Sequence, residues 1–188
     1  WRECRASTRR PQRLVASGLT FFACRGHSAP MSEHDPNLFS PMSRAIELAR
    51  EAYARGEVPV GCVIVDGESG EMIAEASNRC EERGNPTAHA ELLAITAAAE
   101  KAGQKSGGRL AGADLYVTLE PCAMCAAAIS FARLRRVYFG AYDPKMGGVE
   151  HGPKFFTQPT CHHGPEVVGG LDETICRQLM QDFFKEKR

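Results

Sequence analysis

Leu115-Tyr116-Val117-Thr118-Leu119-Glu120-Pro121-Cys122-Ala123-Met124-Cys125 is the stretch on which the fold turns. Residues 115–119 read as a strand, 123–133 as a helix and 137–139 as the next strand. A strand, a helix and a strand in this order form a crossover unit, so the two strands are expected to be parallel and the connection right-handed.

The neighbouring segments extend that unit. Residues 88–102 are rich in Ala and Leu and end at Gly103, which marks a helix and its stop. Before it, Gly84-Asn85-Pro86 is a loop. Residues 60–65 form a nearly continuous apolar run, expected as a buried strand; 66–70 is turn material, and 72–76 returns as the partner of a hairpin. Ser40-Pro41 opens the first helix, with Ser as cap and Pro at the first helical position. Met42, Ile46, Ala49 and Tyr53 follow at helical spacing, Arg44, Glu47, Arg50 and Glu51 fill the other face, and Gly56 ends the run. Toward the C-terminus, 143–165 is loop-rich, Val167-Val168 adds a fifth strand, and 172–186 is an amphipathic helix. Its expected apolar stripe is Leu171, Ile175, Leu179 and Phe183. The expectation is one α/β layered domain at 38–188, preceded by an extension at 1–37 that is disordered or non-native.

Composition agrees. The 188 residues are 43% hydrophobic and 24% charged, ordinary globular material that excludes a wholly disordered chain. No apolar run approaches the roughly 20 residues that cross a bilayer, and no repeat period is sustained. The net charge of zero hides an asymmetry: residues 1–30 hold six Arg, no Lys and one acid, leaving residues 31–188 at a net −5. We read 1–30 as translated upstream sequence with Met31 as the start, an Arg-rich, acid-poor transit peptide being the alternative. Of the eight cysteines, Cys4 and Cys24 fall in that leader, Cys62 in a strand and Cys122 and Cys125 in a tight pair, a spacing that favours metal or redox chemistry over a disulfide framework.

The chemistry gathers at Thr87-Ala88-His89-Ala90-Glu91 and Glu120-Pro121-Cys122-Ala123-Met124-Cys125, each at a loop-to-helix junction. Cysteines three apart can turn both sulfurs to one point, where a helix N-terminus favours thiolate. One imidazole and two thiolates offer Zn²⁺ three ligands and leave a fourth position for water. Glu91, two residues past His89, points elsewhere on the helix and suits general acid/base work rather than ligation. A Cys-x-x-Cys alone would read as a redox pair or half of a closed zinc site, but no second pair exists and redox pairing leaves His89-x-Glu91 unexplained.

His89-x-Glu91 with Pro121-Cys122-x-x-Cys125 is the signature of the zinc nucleobase deaminases. Over residues 40–188 the chain resembles the bacterial tRNA-specific adenosine deaminase family, through Glu57-Val58-Pro59-Val60-Gly61, Asn78-Arg79, 116–122 and Gly140-x-x-Asp143-x-Lys145-x-Gly147. The resemblance implies a cytidine-deaminase-like three-layer α/β/α sandwich around a five-stranded mixed sheet. It implies one zinc per subunit on His89, Cys122 and Cys125, with Glu91 as proton shuttle, and conversion of the wobble adenosine of a tRNA anticodon stem-loop to inosine. Asn78 matches the residue that holds the target nucleoside, Val58 and Leu119 the pocket lining, Asp143 and Lys145 a loop on the anticodon backbone, and Phe183-Phe184-Lys185 an aromatic-basic tail. A cytoplasmic homodimer with no membrane association is implied as well.

The match thins at 150–165, where Phe155-Phe156 and Cys161-His162-His163 stand; that triplet is read first as loop packing, with RNA contact or incidental metal binding as the alternatives. Arg133, Arg135, Arg136, Lys145, Lys154, Lys185, Lys187 and Arg188 are the cations that could form a local basic surface for RNA. Two rivals stand beside the RNA-deaminase reading: a deaminase of free guanine, cytosine or cytidine, and a noncatalytic zinc or redox module.

Overall fold

The computed structural model describes residues 40–103 and 107–187; the extension 1–37 and Arg188 lie outside the described residues. Helix α1 (Pro41–Ala54) starts as its sequence dictates: the Ser40 hydroxyl accepts from the Ser43 N–H, and Pro41 occupies the first turn, where a missing donor costs nothing. Met42, Ala45, Ile46, Leu48, Ala49 and Ala52 form its buried face. Strands β1 (Gly61–Asp66) and β2 (Met72–Ser77) are antiparallel, joined by a turn in which Asp66 Oδ1 accepts from the Glu68 and Ser69 N–H groups and the Ser69 hydroxyl. There follow α2 (Cys80–Arg83), α3 (Ala90–Ala102), β3 (Ala113–Leu119), α4 (Ala123–Ala132), β4 (Arg136–Ala141), β5 (Glu166–Gly169) and α5 (Glu173–Glu186), with a single 3₁₀ turn at Phe155–Thr157.

The sheet order is β2-β1-β3-β4-β5; β1 runs antiparallel to β2 and β3, while β3, β4 and β5 are parallel. The expected β3-α4-β4 crossover is therefore present, and the sheet is mixed. Alternation along the strands separates two cores. Cys62, Ile64, Leu115, Val117, Val137 and Phe139 face Ala90, Ala94 and Ala98 of α3 and Ala126 and Ile129 of α4. Val63 and Val65 on the opposite face meet Met42, Ile46 and Leu48 of α1 and Cys176 of α5. Helices on both faces make this the three-layer sandwich expected.

Two glycines set how closely the second layer sits. A Cβ on Gly61 would overlap the Ala45 carbonyl oxygen and lie 2.8 Å from the Ala49 nitrogen, so α1 rests its backbone on β1. A Cβ on Gly140 would meet Cys176 Sγ at 2.5 Å and the Thr118 carbonyl at 2.7 Å, so α5 is seated on β4 in the same way. At the outer edge of the sheet, Lys101 Nζ donates to the Ile73 carbonyl at 2.6 Å.

The expected stripe of α5 holds at Leu171, Leu179 and Phe183, which pack inward, but not at Ile175, which is 45% exposed while Cys176 is buried in its place. The helix begins at Glu173, after an Asp172 with φ +51. Helix α2 is an addition, held from outside by Glu57, whose buried carboxylate accepts from the Glu81 and Glu82 N–H groups at 3.2 and 2.8 Å. Of the cations that could form a basic surface, four are engaged within the chain: Arg135 is bidentate on Asp114, Arg136 pairs with Glu166, Arg133 donates to the His162 carbonyl and Lys187 lies over the Phe183 ring.

Cys161 and His163 pack within the loop, whereas His162 is exposed. His163 Nε2 donates to the Leu134 carbonyl at 2.6 Å, and Cys161 Sγ lies 3.2 Å from the His163 carbonyl and 3.5 Å from Ser130 Oγ. All six described cysteines are free thiols; Cys4 and Cys24 lie outside the described residues.

Candidate active site

His89 is the N-cap of α3 and Cys122 the N-cap of α4, both in extended conformation, with Cys125 in the first turn of α4. Because α3 and α4 share one face and start at the same edge of the sheet, their first residues meet. His89 Nδ1 lies 3.7 Å from Cys122 Sγ and 3.5 Å from Cys125 Sγ, and the three donor atoms lie within 4.8 Å of one another. A tetrahedral zinc with normal Zn–N and Zn–S bonds separates nitrogen from sulfur by about 3.6 Å. The spacing fits. This is the one group of three or more potential metal ligands among the described residues.

The electrostatics agree with a cation site. Cys122 is held down to about 4 by the hydrogen bond from the Cys125 thiol, despite burial, and by His89. Cys125 is pushed up by that same bond and by burial, so the pair shares one proton. The bond to Cys122 raises His89. A cation entering the set displaces protons, the expected linkage for thiolate ligands. Glu91 is buried, and desolvation holds its carboxyl above the ordinary carboxylate range, where it can carry a proton.

Beside these residues lies a cavity of about 220 Å³, walled by Val58, Val60, Asn78, Leu119, Asp143 and Met146, with His89, Glu91 and Cys122 at its base. It is smaller than the 300–1,000 Å³ typical of drug-sized ligands, the scale of one base rather than a whole nucleotide. A second cavity of about 420 Å³ shares Val58, Leu119, Asp143 and Met146 with it and adds Tyr142, Lys145, Arg177, Met180 and Phe184. Asn78 is buried and its Oδ1 accepts from the Ala90 N–H at 2.9 Å, tying the residue to the start of α3.

The expected site residues thus divide. His89, Glu91, Cys122, Asn78, Val58 and Leu119 line the first cavity and Cys125 completes the ligand set; Asp143 borders both cavities, and Lys145 and Phe184 the second. Asp143 Oδ1 is engaged by its own turn, accepting from the Lys145 and Met146 N–H groups. Phe183 is corrected: at 6% exposed it packs edge-on against Tyr53 and Phe184 and reaches neither cavity, because α5 turns it toward α1. Sequence reasoning missed Met146, 70% exposed at the rim, and Arg177 and Tyr142. No spacing rule marks them, since the two cavities join a loop to the outer face of a helix distant in sequence.

An α/β/α sandwich with a His/Cys/Cys set beside a buried glutamate defines a zinc-dependent hydrolytic deaminase. The family profile for the cytidine and deoxycytidylate deaminase zinc-binding region matches residues 38–141. The tRNA-specific adenosine deaminase of Agrobacterium fabrum is 55% identical over 147 residues, covering 78% of this chain and 93% of that protein. The Bacillus subtilis protein of the same name is 43% identical over 147 residues, 78% of this chain and 88% of its own. A solved tRNA:A34 deaminase, 55% identical, superposes with a TM-score of 0.70 over 74% of this chain and 97% of that one. Guanine deaminase from Nitrosomonas europaea, 23% identical with a TM-score of 0.64, shares the fold. The chain belongs to the tRNA-specific adenosine deaminase family.

Proposed function

We propose that this chain deaminates adenosine to inosine at the wobble position of a tRNA anticodon stem-loop. The carrying observation is the His89–Cys122–Cys125 set with Glu91 beside it, at the base of a one-base cavity that continues into a second, larger one. A zinc ion on those three residues supplies Lewis acidity that makes water a source of hydroxide near neutral pH. Glu91 accepts the proton released from water as the C6–O bond forms and places it on the ring nitrogen; it then takes the remaining proton of the new C6 hydroxyl and passes it to the departing amine as the C6=O bond forms. The C6–N bond breaks, and the products are inosine and ammonia. Asn78, its carbonyl oxygen fixed by Ala90, presents its amide N–H₂ to the nucleoside. Val58 and Leu119 clasp the extruded base, while Asp143, Lys145 and Phe184 meet flanking nucleotides.

We further infer a domain spanning 38–188, a cytoplasmic location and a homodimer. For the dimer, support comes from the family resemblance and from Phe131, 76% exposed on α4 beside α3. No described helix is long and apolar enough to cross a membrane. A deaminase of free guanine, cytosine or cytidine is less well supported, because a free base has no use for the second cavity. Incubating the zinc-loaded chain with tRNA and, separately, with those free compounds tests the substrate. Inosine in digested tRNA is expected; ammonia from a free base with no inosine in any tRNA overturns the proposal.

A further inference from the structure

Glu120 is wholly shielded from solvent, yet the chemistry above gives its carboxylate no task. Five donors converge on it. Oε2 accepts from the Asp143 N–H at 3.0 Å and from His151 Nδ1 at 2.7 Å; Oε1 accepts from the N–H groups of Val149, Glu150 and His151 at 3.2, 2.8 and 2.9 Å. A carboxylate only accepts, so His151 carries its proton on Nδ1. Every donor belongs to loop 143–151, which supplies Asp143 and Met146 to the rim of the catalytic cavity.

Packing around the carboxylate is closed. A Cβ on Gly147 would stand 2.5 Å from Glu120 Cδ, and one on Gly148 would stand 2.5 Å from the Ala123 nitrogen at the start of α4. Gly147 bridges to Cys122, and the Gly148 N–H donates to the Pro121 carbonyl at 2.8 Å. Glu120 follows the wall residue Leu119 and precedes the ligand Cys122 by two positions, so one short segment touches the inner wall, the metal set and the outer loop.

We propose that Glu120 is a positioning residue whose carboxylate, clamped by His151, holds the outer wall of the nucleoside cavity at a fixed spacing from the His89–Cys122–Cys125 set. This rests on the assignment of that cavity to the target adenosine. Glutamine has one acceptor oxygen. With that oxygen on the three consecutive N–H groups, its N–H₂ faces the Asp143 N–H and the imidazole. The imidazole can move its proton to Nε2 and accept; a peptide N–H cannot. Glu120→Gln therefore releases the loop at Asp143, a cavity residue. A wall that touches ground state and transition state alike governs KM, whereas partial unfolding lowers apparent kcat and leaves KM unchanged.

The test uses the zinc-loaded full chain and an anticodon stem-loop RNA. For Glu120→Gln a KM about tenfold higher is expected, with kcat within about twofold of the parent. Zinc content should stay at one per chain, and trypsin should cut after Lys145 about fivefold faster, since that reads local opening directly. His151→Ala removes one donor of the five and should raise KM about threefold with the same cleavage trend. Should Glu120→Gln fail to accumulate folded, His151→Ala decides alone. Parental KM and parental Lys145 cleavage, or a loss confined to kcat, overturn the proposal. If the parent makes no inosine from RNA, the functional reading fails, and equal Lys145 cleavage in parent and variants would separately refute the clamp.

Discussion

Glu91 sits two residues beyond a ligand without belonging to the ligand set, and that separation is testable. Glu91→Gln removes the proton carrier while keeping size, so turnover on tRNA should fall by about 10²–10⁴, the usual worth of a general acid–base. Zinc, measured by atomic absorption, should remain at one per chain; loss of metal would show the carboxylate to be a ligand. Asn78 separates two tasks in one side chain. Asn78→Ala removes the acceptor for the buried Ala90 N–H and should cost about 1–3 kcal/mol in a denaturant titration. Asn78→Asp keeps that acceptor at a helix start that welcomes negative charge, so stability should hold while kcat/KM falls at least about tenfold. At this scale the sequence was informative wherever residue type and spacing alone determine chemistry, as for His89, Glu91, Cys122 and Cys125. It was silent on Glu120, because burial of a charge and five donors arriving from one loop are properties of the folded chain.

The helices of one layer are seated on glycines, and the seat is narrow. Gly61→Ala drives a methyl into the backbone of α1, where no side chain can swing aside; overpacking of this kind costs about 1–3 kcal/mol or more. A thermal melt should show a Tm lower by roughly 2–4 °C for each of those kcal/mol. The same helix is tied to the hairpin by Arg44, whose guanidinium grips both oxygens of Glu75 at 2.8 Å. Arg44 holds the Glu75 carboxyl below the ordinary carboxylate range. A folded-state value below the unfolded one stabilises the chain above the unfolded value, near about 4.3, and that contribution fades as pH falls through the folded value. The Tm difference between the parent and Glu75→Gln should therefore be present at neutral pH and shrink steadily below about pH 4.3; a constant difference would contradict it. Elements were legible from periodicity and caps, as Ser40-Pro41 demonstrates. The facing of α5 was legible at Leu171, Leu179 and Phe183 but not at Ile175, whose inward place is taken by Cys176, about 100° further round the helix.

For the whole molecule, the β3-α4-β4 crossover and the β1-β2 hairpin were legible in the sequence, as was burial of β1 on both faces from its nearly continuous apolar run; the order of the remaining strands was not. Quaternary structure is where sequence says least. The outer face of α4 exposes Phe131, which at 76% is the most exposed of the large apolar side chains among the described residues. If the proposed homodimer buries this side chain, Phe131→Asp should lower the mass in sedimentation equilibrium to that of one chain while zinc content is preserved; an unchanged mass would remove Phe131 as support for the dimer. A smaller detail bears on how such chains behave when crowded. With its ammonium planted on the Ile73 carbonyl, Lys101 lies along the outermost strand, so a passing chain finds one acceptor taken and a positive charge in its path. Neutralising that charge would remove one of the features that discourage another chain from pairing with this border.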